Sequence, residues 1–324
     1  MPLTFDFPLE QCKTYQGINP KPADFDAYWE RALEEMRATP PEVEMVRADF
    51  RARGAECFDL YFTGVGGARV HAKFLRPAKS SGPHPAVLMF HGYSVDSGDW
   101  ADKLAYVSQG FSVAALDARG QGGLSEDNSV VHGTTLNGQF VRGLEDALHG
   151  RPEKFVFRQI FLDTAELARI VMEMPDVDER HVGATGWSQG GALTVACAAL
   201  EPRIARIAPV YPFLSDYRRV WEMDMAKDAY NELKEWFRRF SPRHENEAEV
   251  FEKLGYIDIQ HLAPRVRAEV LWSIGLMDTI CPPSSQFAAY NKIVSKKRMD
   301  IYPDYVHEHI RGAPDRIFSF LAEV

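Results

Sequence analysis

Val182-Gly183-Ala184-Thr185-Gly186-Trp187-Ser188-Gln189-Gly190-Gly191, running on into Ala192 to Leu200, joins a short β-type run, a serine bracketed by glycines and a continuous small and apolar helix. A G-x-S-x-G pattern in that setting puts Ser188 on a sharp strand-to-helix turn. Small neighbours there let the backbone fold tightly and lift the hydroxyl out toward a ligand. The bare pattern proves little in a chain with 23 glycines, and an ordinary βα turn is the alternative. The strand before it and the helix after it are what make it informative.

Outward from this turn, apolar runs alternate with helical stretches: Ala86 to Phe90, Ser112 to Leu116, Ile207 to Tyr211, Val270 to Ile274 and Met299 to Tyr302. Solid runs of this kind, separated by helices, predict parallel strands buried on both faces. Phe58 to Phe62 and Val70 to Leu75 flank Gly64-Val65-Gly66-Gly67, which reads as a hairpin turn rather than a phosphate cradle. The expectation is a doubly wound, mostly parallel α/β sheet entered through an antiparallel hairpin. Residues 1–56 read as an extension packed on the body, with a helix from about Asp24 to Met36. Residues 215–262 break the rhythm as a charged helical insertion over the active site. No repeat or low-complexity segment divides the chain, so residues 1–324 are expected to form a single domain.

A serine hydroxyl needs a base to take its proton and an acid to orient that base. In folds that use this turn the chain order is serine, acid, histidine. Asp278 follows the run ending at Ile274, which places it in a loop at a strand's carboxyl end, where such sheets gather functional groups. A turn acid capping the helix near Pro283 is its alternative role. His307 follows the final strand, with His309 as a rival two residues on. The oxygen that becomes negative needs donors, for which the backbone N–H groups of Gln189 and of Tyr93, after the run ending at Phe90, are candidates. His91 precedes the serine and is expected to brace its loop. His307-Glu308-His309 is not an H-E-x-x-H metal motif, and no further ligand cluster is evident.

Composition narrows the classes. Of 324 residues 45% are hydrophobic, and 37 basic against 46 acidic residues give a net charge of −9. Without a basic stripe, nucleic acid is not an expected partner. Cys12, Cys57, Cys197 and Cys281 are scattered and read as free thiols of a reducing compartment. Met1 to Glu10 lacks the order of a signal peptide and no apolar run reaches transmembrane length, so a cytoplasmic protein with no membrane partner is expected.

With these pieces placed, the chain resembles carbohydrate esterase family seven, the acetyl xylan esterases and cephalosporin C deacetylases of the α/β-hydrolase superfamily. The likeness runs from Pro8 to about Phe320. It rests on Arg119-Gly120-Gln121, Gly186-x-Ser188-Gln189-Gly190 and His307-Glu308, with Ser273-Ile274-Gly275-Leu276-x-Asp278 and Pro282-Pro283-Ser284 to Tyr290-Asn291. The resemblance implies Ser188 as nucleophile, His307 as general base, Asp278 as its partner, and Tyr93 with Gln189 for the oxyanion. It also implies a deacetylase of small acetylated substrates that needs no cofactor or metal, and a doughnut-shaped homohexamer with active sites facing an internal cavity. Arg119 would be structural, its guanidinium tying loops near the nucleophile turn. One departure is Val306, where the family usually has glycine. A left-handed backbone there would strain a β-branched residue, so the histidine loop is expected to differ slightly. Triad and fold are shared across reactions, which leaves a general carboxylesterase, a lactone hydrolase, a peptidase, or a binding protein that has lost activity as alternatives.

Overall fold

The computed structural model describes residues 5–80, 82–133 and 138–323. Its centre is a nine-stranded sheet in the order β1-β2-β3-β5-β4-β6-β7-β8-β9. The strands are β1 (Glu44–Arg47), β2 (Ala55–Thr63), β3 (Arg69–Pro77), β4 (His84–Phe90), β5 (Ser112–Leu116), β6 (Val177–Trp187), β7 (Arg206–Val210), β8 (Glu269–Gly275) and β9 (Lys297–Tyr302). β1, β2, β3 and β5 pair antiparallel in turn, and every pairing from β5 through β9 is parallel. The expected hairpin is β2–β3, closed by a single 3₁₀ turn at Val65–Gly67 in which Gly66 has φ 76°.

The solid apolar runs are strands because they have two faces to bury. Leu88, Ala114 and Trp272 point into one layer of core, with the helices Val156–Met172 and Gln189–Leu200. Their neighbours Val87, Val113 and Leu271 point into the other, with the helix Ala313–Ala322. Helices on both sides leave these strands nowhere polar to face, which is why alternation is absent from their sequence.

The described part of the N-terminal extension is tied down at several points. In the helix Phe25–Ala38, Phe25, Tyr28, Trp29, Ala32, Leu33 and Met36 are buried, and the Trp29 indole N–H donates to the Tyr256 carbonyl at 3.1 Å. Each large side chain so buried contributes about 1.5–3 kcal/mol of transfer free energy. Upstream, fully buried Asp216 accepts from the N–H groups of Ile18 and Asn19 and from the Tyr15 hydroxyl. Residues 1–4 lie outside the described part. The insertion after β7 forms the helices Tyr217–Glu222, Asn231–Phe240, Glu247–Leu254 and Ile259–Leu262. No helix among the described residues is long and apolar enough to cross a membrane.

The sheet order also places the site. β4 lies between β5 and β6, so the chain leaves it in one direction and returns on the other side. Connections that diverge in this way are where such sheets place a ligand crevice, at the strands' carboxyl ends. Phe90 at the end of β4 pairs with Gly186 near the end of β6. That register sets the His91-Gly92-Tyr93 loop beside Ser188.

Candidate active site

Ser188 sits between β6 and the helix Gln189–Leu200 with φ 57° and ψ −117°, a conformation that L residues rarely adopt and that stores about 1–3 kcal/mol. The surroundings hold it there. Its N–H donates to the Val210 carbonyl at 3.0 Å, and its carbonyl accepts from Ala192 and Phe213, each at 3.1 Å. The flanking glycines are required by space. A Cβ on Gly190 would lie 2.0 Å from the Phe90 carbonyl oxygen, and one on Gly186 would lie 2.4 Å from the Gly190 carbonyl oxygen.

His307 Nε2 is 3.0 Å from Ser188 Oγ, and His307 Nδ1 is 2.8 Å from Asp278 Oδ2. Asp278 is fully buried, and its other oxygen accepts from the N–H groups of Ile280 and Cys281 at 2.9 and 2.8 Å. The acid braces its own turn while aiming one oxygen at the imidazole; it does not cap the helix Pro283–Tyr290, whose N-cap position is Pro282. With Nδ1–H donated to that carboxylate, the Nε2 lone pair faces the serine hydroxyl.

Tyr211 supports the histidine loop from below, with its ring 4.4 Å from that of His307 and its hydroxyl donating to the Glu308 carbonyl at 3.0 Å. His309 is exposed and turned away, stacked on Trp187 at 5.7 Å. Val306 is not among the residues with positive φ, so the strain anticipated there does not arise.

Tyr93 and Gln189 flank the serine from two directions. Gln189 opens its helix, so its N–H has no carbonyl four residues back within the helix and lies at the positive end of the helix dipole. Side chains lock the two segments together. Gln121 Oε1 accepts from the Ser94 N–H at 2.9 Å and from Gln189 Nε2 at 3.0 Å, while Gln121 Nε2 donates to Gln189 Oε1 at 2.7 Å. His91 braces this loop, accepting from the Ala118 N–H on Nε2 at 2.9 Å and donating from Nδ1 to the Gly92 carbonyl at 2.7 Å. Burial lowers its pKa, consistent with a neutral ring.

Arg119 ties two segments together, its guanidinium bonding Asp163 at 2.5 and 2.7 Å and the Val65 carbonyl at 2.9 Å, and none of these partners belongs to the nucleophile turn itself. Gln121, two residues on, is the member of that motif that reaches the turn, across Gly120 at φ 65°.

Cys281 is fully buried beside Ser188 and Asp278, and burial holds its thiol well above the ordinary range. That keeps it a poor rival nucleophile. Asp278, Cys281 and His307 place ligand atoms within 4.8 Å of one another, close enough to meet at one ion. The protonated thiol and the existing Asp278–His307 hydrogen bond both disfavour that use. A link absent from the sequence reading is that between Tyr93 and Glu232 of the insertion, joined by a short hydrogen bond from the phenol to the carboxylate.

Comparison with known proteins gives this geometry a family. The model of the family described as Acetyl xylan esterase (AXE1) matches residues 1–324. The structure of acetyl xylan esterase 1 from Thermoanaerobacterium sp. JW/SL YS485 is 56% identical, with TM-score 0.96, covering 98% of this chain and 99% of that one. The acetyl xylan esterase from Paenibacillus sp. R4 is 31% identical, with TM-score 0.92 and the same coverage. Acetyl esterase Axe7A of Xylanibacter ruminicola is 27% identical over 89% of this chain, which spans 63% of that relative's length. More distant structures share the fold, among them a cold-adapted esterase from an Arctic intertidal metagenomic library, 16% identical with TM-score 0.55. On these grounds the chain belongs to the acetyl xylan esterase family, a family of carboxylic ester hydrolases with the α/β-hydrolase fold.

Proposed function

We propose that this protein is a serine esterase that removes acetyl groups from small esters, such as acetylated xylo-oligosaccharides and cephalosporin C, through an acyl-enzyme on Ser188. The observation that carries this reading is the continuous line from Ser188 Oγ through both nitrogens of His307 to Asp278, at 3.0 and 2.8 Å. In the proposed reaction His307 Nε2 takes the serine proton as Oγ attacks the acetyl carbonyl. The N–H groups of Tyr93 and Gln189 hold the oxyanion of the tetrahedral intermediate. His307 then gives its proton to the leaving alcohol, leaving acetyl-Ser188. Water, deprotonated by the same nitrogen, releases acetate and restores the hydroxyl. Asp278 keeps the imidazole in the right tautomer and stabilises its charged form.

The acyl group must fit beside Ser188 in packed surroundings, so each added methylene has to find space. Acetyl should be preferred to butyryl by more than about tenfold in kcat/KM, the effect of the 1–3 kcal/mol that small steric differences allow. The alcohol departs outward, which supports tolerance there. The family likeness supports a cytoplasmic homohexamer of roughly 220 kDa, with sites facing an interior that admits oligomers more readily than polymer. Rates on aryl acetate, butyrate and octanoate test the acyl preference, and acetylated oligomers against polymer test access. A rate that rises with acyl length would assign a general carboxylesterase instead.

A further inference from the structure

Glu232 occupies the second position of the insertion helix Asn231–Phe240, and its half-buried carboxylate accepts four hydrogen bonds from uncharged donors. Oε1 takes the Tyr93 hydroxyl and the Gln139 N–H at 2.9 Å, and Oε2 takes the N–H groups of Phe140 and Val141 at 3.0 and 3.3 Å. A carboxylate offers about four acceptor positions, so this one is saturated. Gly138 leaves it room, since a Cβ there would lie 2.0 Å from Glu232 Cδ. Burial raises the Glu232 carboxyl, so holding it as an anion opposes stability rather than adding to it. An acceptor without a donor is nevertheless what four converging hydrogens require. A glutamine would turn its NH₂ toward two of them.

We infer that Glu232 is a positioning residue for the oxyanion hole, holding Tyr93 by its phenol so that the backbone N–H of the same residue stays aimed at the reacting oxygen. Tyr93 is gripped at both ends. Its phenol is bound by Glu232, its ring packs between Phe157 and Phe213 with centroids 6.5 and 5.3 Å away, and the next peptide N–H is held by Gln121. The insertion thereby reaches the reacting centre through one side chain. This inference rests on the ester-hydrolase reading above.

An oxyanion donor acts only when it sits about 2.7–3.1 Å from the developing charge, and a shift of about 1 Å can lower a rate about a hundredfold. Glu232→Gln should therefore lower kcat at least about tenfold with KM within about twofold of wild type. Tyr93→Phe removes only the phenol hydrogen and should lower kcat in the same direction by about threefold or more. A trifluoromethyl ketone, which adds to Ser188 as a tetrahedral oxyanion, should bind each variant more weakly by the factor lost in kcat/KM. A merely structural role would not produce that match. Should Glu232→Gln fail to fold, Tyr93→Phe carries the test. Folded variants with kcat within about twofold of wild type, or with undiminished affinity for the ketone, would overturn the inference. A wild type inert toward aryl acetate would instead overturn the esterase reading, and this one with it.

Discussion

Replacing Arg119 with methionine should destabilise the protein sharply and in a pH-dependent way. Arg119 and Asp163 form a two-pronged pair at 2.5 and 2.7 Å, with side chains only 3% and 2% exposed. Even the backbone has been cleared for it, because a Cβ on Gly64 would lie 2.3 Å from the guanidinium and 2.4 Å from the carboxylate. Removing one partner of a buried pair typically costs about 3–5 kcal/mol, since the other is left as an uncompensated charge. Unfolding entropy of about 2.1 cal/mol/K per residue gives roughly 0.7 kcal/mol/K over 324 residues, so Tm should fall by roughly 4–7 °C. Burial already pushes the Asp163 carboxyl up, while Arg119 pulls it down. Without Arg119 the carboxyl rises further, so the loss should be larger near pH 8 than near about pH 5, where protonation relieves the charge. Calorimetry at the two pH values measures this. Arg119→Met with Asp163→Leu should recover at least half of the loss, as buried pairs replaced by apolar groups commonly do. A single-variant loss below about 1 kcal/mol, or a double variant showing simple additivity, would refute the reasoning.

Ser188→Ala should reduce ester hydrolysis by about three orders of magnitude or more, and His307→Ala by as much, because the two act as a unit. His309→Ala should change kcat only a fewfold, since that ring stacks on Trp187 away from the serine hydroxyl; equal losses at the two histidines would contradict this. Burial and then the Asp216 carboxylate push Asp258 up to about 7. A carboxyl raised on folding contributes stability that is complete below its ordinary pKa and is lost as pH rises through the folded value. Tm should therefore decline between about pH 4 and pH 7, and Asp258→Asn should flatten that decline; an unaltered slope in the variant would count against it.

Much of this architecture is legible in the chain because its parallel strands are buried on both faces. Ser112 to Leu116 could hardly be anything but a strand between two layers of helices, and it spans those residues in the fold. β1 escaped the reading for the opposite reason: Glu44–Arg47 is exposed at every position, pairs on one side only and leaves no apolar pattern. At the site, local motifs pointed to Ser188, Asp278 and His307, and the structure brings those three side chains together. Their supports were not legible, because they depend on register between distant segments. Gln121 meets Gln189 across 68 positions, and Tyr93 meets Glu232 across 139. Nothing about a glutamate in a charged helix distinguishes it from its solvated neighbours. The choice between His307 and His309 was likewise a matter of which ring the loop turns inward, and the stack of His309 on Trp187 is a contact that spacing does not express.

The central claim, that Ser188 is the nucleophile of an acetyl esterase, is tested most directly by titrating the protein with a fluorophosphonate while following aryl acetate hydrolysis and mapping the adduct by peptide mass spectrometry. Activity should fall in proportion to labelling and vanish when each chain carries one adduct, on Ser188. Hydrolysis that persists with Ser188 fully modified, or an inactivating adduct on another residue, would contradict the account.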